Sequence, residues 1–270
     1  MYFMFRCMEG NMVNDELQRA IDMMIQHIVD ILAPSSPSIY LYGSVALDDF
    51  KLGWSDIDVL TLTKKQITEA QAQQLVELRQ TMMPEEPGDP YYRSFEGGML
   101  TFDAFLSKEP DRVVYWGTSG QRISDRYAFD CFCMAELLES GILLFGNDIR
   151  RHLKTPTYDE LYNDVKRHYG TIRQYARQTG RIFYSFGWLL DIARCIYTLR
   201  TGKIIAKTIA AEWALNNDLC PDVDALETAL SVRQNPLKYK NDSKIFDYAE
   251  TLAEPIQRFA DVLEKELNIE

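Results

Sequence analysis

The feature that most constrains this chain is a change of pattern near residue 150. Before it, short apolar runs such as "SIYLYGS" and "IDVLTLT" are bounded by Gly, Pro and polar clusters, the mark of strands, and they alternate with helical stretches. After Asp148 the chain is helical almost throughout: "YDELYNDVKRHYGTIRQYARQ", "RIFYSFGWLLDIARCIYTLRT", "AKTIAAEWALNN" and the stretch from Ser243 to Leu267. In the last of these, Ile245, Tyr248, Leu252, Ile256, Phe259 and Leu263 recur at helical spacing and form a stripe suited to a bundle. A chain of 270 residues divided in this way is expected to be α+β. A mixed sheet with flanking helices would occupy residues 1–150 and an all-helical bundle residues 151–270, joined within 149–157, "IRRHLKTPT".

Within the first half, apolar residues from Val13 to Leu32 step by three or four and predict an amphipathic helix that ends at "PSSP", residues 34–37. Two strands and the helix "TEAQAQQLVELRQTMM" follow, then the loop "MPEEPGDP" at residues 83–90. "YYRSFEGGMLTFDAFLS" and "RVVYWGT" predict strands, "DRYAFDCFCMAELLES" a helix and "GILLFG" a last short strand.

Composition narrows the partners. The net charge of -11, from 29 basic and 40 acidic residues, repels a long polyanion and attracts a cationic small molecule, so nucleic acid is not an expected ligand. Cys7, Cys131, Cys133, Cys195 and Cys220 form neither a CxxC pair nor an even framework and suit buried thiols of a reducing cytoplasm. With three histidines and no HExxH, zinc is not expected. The opening "MYFMFRCMEGNM" lacks the cleavage site of a signal peptide and no run is long enough to span a bilayer, so the expectation is a cytoplasmic monomer.

The chemistry concentrates in "LYGSVALDDFKLGWSDIDVLTLT", residues 41–63. Gly43 ends one apolar strand and lets backbone amides turn toward an anion, with the Ser44 hydroxyl beside them. Asp56 and Asp58 open the next strand, and the period of two puts them on one face. Paired carboxylates facing one point are costly unless a cation sits between them, and they suit Mg2+ shared with substrate phosphates. Two such ions could hold the attacking and leaving oxygens of a displacement at phosphorus.

Gly43-Ser44 followed after ten residues by Ser55-Asp56-Ile57-Asp58 resembles the signature of the nucleotidyltransferases related to DNA polymerase beta. "ARCIYTLRTGKIIAKTIAAEWAL", residues 193–215, resembles the helical-domain segment of the aminoglycoside adenylyltransferases that modify streptomycin and spectinomycin. Arg194, Thr201-Gly202-Lys203, Lys207 and Ala210-Ala211-Glu212-Trp213-Ala214 carry that match. The resemblance implies a nucleotidyltransferase sheet domain followed by a helical domain that clamps nucleotide and substrate. It implies ATP as co-substrate, Mg2+ on Asp56 and Asp58, phosphate contacts from Gly43, Ser44, Ser55, Arg194, Lys203 and Lys207, and AMP transfer to a hydroxyl of a small molecule such as an aminoglycoside.

The resemblance also implies a third acid on a neighbouring strand, which joins the metals or takes the proton of the acceptor hydroxyl. Glu96 in "SFEGGML" and Asp103 in "LTFDAFL" both qualify, with Glu96 preferred, and Gly97-Gly98 would admit a ligand closely. Relatives usually carry glycines where this chain reads Asp48-Asp49-Phe50 in a loop one residue longer, and an acid where it is aromatic around Tyr184. Trp116, Trp188 and Trp213 could line the acceptor pocket but suit the core better, with Trp116 the best candidate for a pocket wall. The competing readings are adenylyl transfer to a protein or metabolite, and a nucleotide sensor without turnover.

Overall fold

The structure is a computed structural model that describes residues 15–83, 90–110, 112–117 and 120–268. The N-terminal dozen residues, Cys7 and most of the "MPEEPGDP" loop lie outside the described residues. The chain runs α1 (Asp15–Leu32), β1 (Pro37–Tyr42), α2 (Gly43–Ala46), β2 (Ile57–Thr63), α3 (Glu69–Met82), β3 (Phe95–Thr101), α4 (Phe102–Ser107), β4 (Val113–Gly117), β5 (Gly120–Ser124), α5 (Cys131–Glu139) and β6 (Ile142–Phe145). From there it is helical: α6 (Tyr158–Tyr175), α7 (Tyr184–Thr201), α8 (Lys207–Asn216), α9 (Val223–Gln234), α10 (Pro236–Tyr239), α11 (Ser243–Glu250) and α12 (Ala253–Glu266).

The strands form one mixed sheet in the order β5-β4-β3-β2-β1-β6 among the described residues, with β2 and β3 parallel and the other pairs antiparallel. The fold is thus α+β, with the helices α6 to α12 following the sheet. Alternation decides what each sheet face carries. Ile57, Val59, Phe95 and Met99 pack with Leu17, Ile21, Met24 and Ile28 of α1 and Leu75 of α3. Leu60, Leu62 and Leu100 belong to the opposite face, with Tyr40, Tyr42, Phe105 and Leu137. The even-numbered series of β2 and β3 that supplies this second face begins with Asp58 and Glu96.

Helix boundaries follow local chemistry. Thr68 and Gln71 close a capping box on α3, and Thr157 and Glu160 do the same for α6. The predicted final helix is two, because Pro255 in the first turn of α12 has no N–H to continue the ladder from α11. The helix expected from Asp125 starts only at Cys131, where the Asp130 side chain accepts the Cys133 N–H, while the Tyr127 ring ahead of it lies against Gly98. The sequence pattern announces none of β5, α9 and α10, and the strand expected through "LTFDAFLS" stops at Thr101, where α4 begins.

The third core is helical and takes Leu189, Ile196, Ala210, Leu226, Ile256 and Phe259. It also takes Phe132 and Ala135 from α5, with Trp54 packed against it, so the packing does not divide at residue 150. Among the described residues no helix is long and apolar enough to cross a membrane, and the four described cysteines are unpaired.

Candidate active site

The strand β1 ends at Tyr42 and the chain turns at Gly43, whose φ of +65° favours glycine. A Cβ at Gly43 would also run into the Asp58 carboxylate, so glycine here serves both the turn and the acid beneath it. Tyr42 is the cross-strand partner of Asp58, and Asp58 is in register with Glu96 on the parallel strand β3. Asp56, two residues before Asp58, shares a hydrogen bond with Glu96. The structure therefore brings Gly43, Ser44, Asp56, Asp58 and Glu96 to one end of adjacent strands.

Asp103 is not part of this group. The strand stops at Thr101, whose hydroxyl caps α4, and Asp103 stands exposed in the first turn of that helix, where an acid suits the N-terminus. The two glycines after Glu96 make room for protein: Gly97 lies against the Val59 carbonyl and Gly98 against the Tyr127 ring. Trp116 is 1 % exposed and donates its indole N–H to the Leu75 carbonyl at 3.2 Å, a core role that removes it from any pocket wall. Ser44 donates its hydroxyl to the Asp56 carbonyl at 3.1 Å, and Ser55 accepts the Lys51 N–H at 3.0 Å. Both brace the loop, and an accepting Ser55 keeps its own proton to donate.

Cations arrive from the helical half. Lys207, the first residue of α8, pairs with Asp191 of α7 at 2.7 Å, and its charge acts on Asp56, Asp58 and Glu136. Arg194 meets Glu136 of α5 at 2.9 Å and Asp191 at 4.0 Å. Lys203 is exposed in the turn after α7, where its carbonyl accepts from the Thr198 hydroxyl.

Three members of the site escaped the sequence reading, and each leaves a trace there. Arg79 continues the buried stripe of Ala72 and Leu75 on α3, and it donates to the Phe95 and Arg93 carbonyls at 3.2 and 3.3 Å beside Glu96. Glu136 falls in the apolar run of α5, and Asp191 interrupts the apolar middle of α7. A charge on an apolar helical face is the signal in every case.

Burial, then the charge and hydrogen bond of Glu96, raise the Asp56 carboxyl to about 6, with Lys207 and Arg79 opposing. Asp58 is held well above the carboxylate range by burial and by Asp56, Glu136 and Glu96. Burial also raises Glu136, against Arg194 and Lys207, whereas at Asp191 burial is outweighed by Lys207 and Arg194, which hold it low. Tyr115 of β4 donates to Glu96 Oε1 at 2.8 Å, and burial together with that bond pushes the phenol to about 12.

Among the described residues, Asp56, Asp58, Glu96, Glu136 and Asp191 put five carboxyls here against the cations Lys207, Arg194, Arg79 and, over the Tyr115 ring at 4.3 Å, Arg122, an excess of one negative charge when all are ionised. The donors nearest the turn are oxygens alone, which suits a hard cation. Among the described residues no three acids, histidines or cysteines close into a metal cage. Mg2+ requires none, since it takes one or two carboxylates and completes its shell with water and substrate phosphates. Asp56 and Asp58 fit that demand.

Residues 158–261 match the family described as aminoglycoside adenylyltransferase, C-terminal domain, and residues 25–86 match the nucleotidyltransferase domain. The chain belongs to the aminoglycoside adenylyltransferase family. It is 22% identical over 216 residues to spectinomycin 9-adenylyltransferase of Staphylococcus aureus strain Mu50, covering 76% of this chain and 81% of the relative, with the same figures for strain N315. The crystal structure of a spectinomycin adenyltransferase from Enterococcus faecialis with ATP and spectinomycin superposes with a TM-score of 0.60 at 12% identity. That superposition covers 88% of this chain and 99% of the other and shows a shared fold. As a family member the chain is an adenylyltransferase, and the acid cluster lies where its nucleotidyltransferase match and its helical match come together.

Proposed function

We propose that this adenylyltransferase transfers AMP from ATP to a hydroxyl of a cationic small molecule, an aminoglycoside or aminocyclitol antibiotic, in the cleft between the sheet and α7–α8. The observation that carries the reading is the meeting of Asp56, Asp58 and Glu96, on neighbouring parallel strands beside the Gly43 turn, with Lys207 from α8. The names of the relatives, which act on spectinomycin, supply the acceptor class. A surplus of carboxyls suits a polycationic acceptor.

Asp56 and Asp58 would hold Mg2+, which when bound polarises the phosphoryl oxygens and offsets the charge that builds on pyrophosphate. Glu96, with one oxygen fixed by Tyr115, takes the proton from the acceptor hydroxyl. The freed oxygen attacks the alpha phosphorus, a new P–O bond forms, and the bond to the bridging oxygen breaks to release pyrophosphate. Lys207 exchanges Asp191, and Ser44 the Asp56 carbonyl, for phosphate oxygens of ATP, and the amides at the Gly43 turn and the Ser55 hydroxyl support the same chain of phosphates. Arg194 pairs with Glu136 behind Asp58 and adds positive potential to the phosphate side. Tyr184, exposed on α7 with its ring edge against Trp188 at 5.0 Å, stands near Asp191 and offers an acceptor surface.

The test is turnover by Glu96→Gln beside Asp103→Asn. The first is expected to lower kcat by about 10²–10⁴-fold, the usual worth of a general base, and the second to stay within about twofold. The reverse order would contradict the assignment.

A further inference from the structure

Ala206 precedes α8 and has no side-chain oxygen with which to cap it. A carboxylate from the other half of the chain takes that place. Asp49, in the loop between α2 and β2, accepts the Thr208 N–H at 3.3 Å through Oδ2 and the Thr208 hydroxyl at 2.5 Å through Oδ1. Thr208 is the second residue of α8, the position whose N–H an N-cap oxygen ordinarily receives.

Arg233 of α9 completes the arrangement. Its Nη2 donates to Asp49 Oδ2 at 2.6 Å and to the Asp49 carbonyl at 3.3 Å, and its Nε donates to the Thr208 hydroxyl oxygen at 3.2 Å. Asp49 and Arg233 are 4 % and 3 % exposed, and Trp54 of the same loop lies under the guanidinium at 5.9 Å. Lys51 adds a longer contact to Asp49 at 3.9 Å. The loop that bears the Gly43-Ser44 turn at one end and Asp56 at the other is therefore fastened in its middle to the residue next to Lys207.

We propose that Asp49, Thr208 and Arg233 are a positioning clasp that sets Lys207 against the phosphates of the nucleotide and presets the cleft before nucleotide arrives. The inference rests on the reading of Lys207 as a phosphate ligand. A buried ion pair contributes little net stability beyond an apolar pair of the same shape, but its directed bonds fix geometry. Misplacement of a catalytic group by about 1 Å can cost about 10²-fold.

The decisive variant is Asp49→Leu with Arg233→Met, which removes both charges and orphans neither. Circular dichroism and melting establish that it is folded. Its ATP KM is expected to rise about tenfold with the acceptor KM unchanged, the size of a typical coupling between contacting residues. Placed in a Lys207→Ala background, the same pair should add less than about twofold, because the clasp acts through Lys207. Thr208→Val, which keeps the ion pair and deletes both hydroxyl bonds of the clasp, the one given to Asp49 and the one taken from Arg233, should raise ATP KM by about threefold and decides the matter if the double variant does not fold. A raised ATP KM in Lys207→Ala with none in the folded double variant would overturn the clasp alone, as would an effect equally large with and without Lys207. An unchanged ATP KM in Lys207→Ala would overturn the phosphate reading and the clasp with it.

Discussion

Two ionic clusters join the sheet to the helices, and they are built on opposite terms. At Asp49 and Arg233 one acid meets one guanidinium, both nearly free of solvent, and the hydroxyl and N–H of Thr208 occupy further lone pairs. Around Asp56 and Asp58 the acids outnumber the cations, and three of them, Asp56, Asp58 and Glu136, are driven toward their neutral forms. A charge that serves architecture is paired and hydrogen-bonded, because a lone buried charge is expensive. A surplus of like charge in a cleft is stable only in the presence of what it binds, and it marks the functional site.

The contrast breaks most sharply under substitution at Asp58. Asp58→Asn should lower adenylyl transfer by about 10³-fold, the scale of losing a preorganised electrostatic group. The same change relieves the repulsion among Asp56, Glu96 and Glu136, so without Mg2+ the variant should melt about 2–4 °C above the parent, about 1 kcal/mol for a chain of this size. Calorimetric melting beside pyrophosphate release checks both, and a lower melting temperature would make Asp58 a structural acid.

Asp49→Ala should do the reverse. It leaves the Arg233 guanidinium buried without its carboxylate, and about 3–5 kcal/mol of stability should be lost. Thermal and urea unfolding measure this, and a loss under about 1 kcal/mol would place Asp49 with the exposed pairs.

A pH titration sharpens the difference further. With the Asp56 carboxyl raised from 3.8 to about 6, a proton competes with Mg2+ below that pH. Mg2+ affinity, read by calorimetry, should rise as pH climbs through about 6 and keep rising above it, because Asp58 is held higher still, with proton release on binding throughout. The sign for stability is opposite. The metal-free folded state binds protons more tightly than the unfolded chain, so its stability should fall as pH rises from the unfolded carboxylate range near about 4 through 6.

Much of the site was legible because strand periodicity is strict: the spacing of Asp56 and Asp58 around Ile57, and the glycine before them, fix where one face begins. The preference for Glu96 over Asp103 rested on resemblance, and the structure supplies its geometric ground in the register of Glu96 with Asp58 and the end of β3 at Thr101. Asp49 was read only as a departure from the glycines of relatives, since its partners Thr208 and Arg233 lie 159 and 184 residues away and no local pattern announces them. Glu136 and Asp191 do leave a local trace, a charge on an apolar helical face, but their partners Arg194 and Lys207 lie on other elements and only the fold brings them together. Trp116 takes the core place that single aromatics favour and not the pocket wall, since an aromatic next to glycine suits a buried strand as well as a pocket rim.

The central claim is that the acid cluster is a catalytic centre for adenylyl transfer to a cationic acceptor. The most direct measurement is pyrophosphate release from ATP and Mg2+ with spectinomycin, streptomycin and a panel of other aminoglycosides, run beside Asp58→Asn. Release that depends on one of these acceptors, with a matching adenylylated product, and that disappears in Asp58→Asn is the predicted result. Acceptor-dependent release that persists undiminished in Asp58→Asn, or no release with any acceptor by protein that binds ATP, would contradict the account.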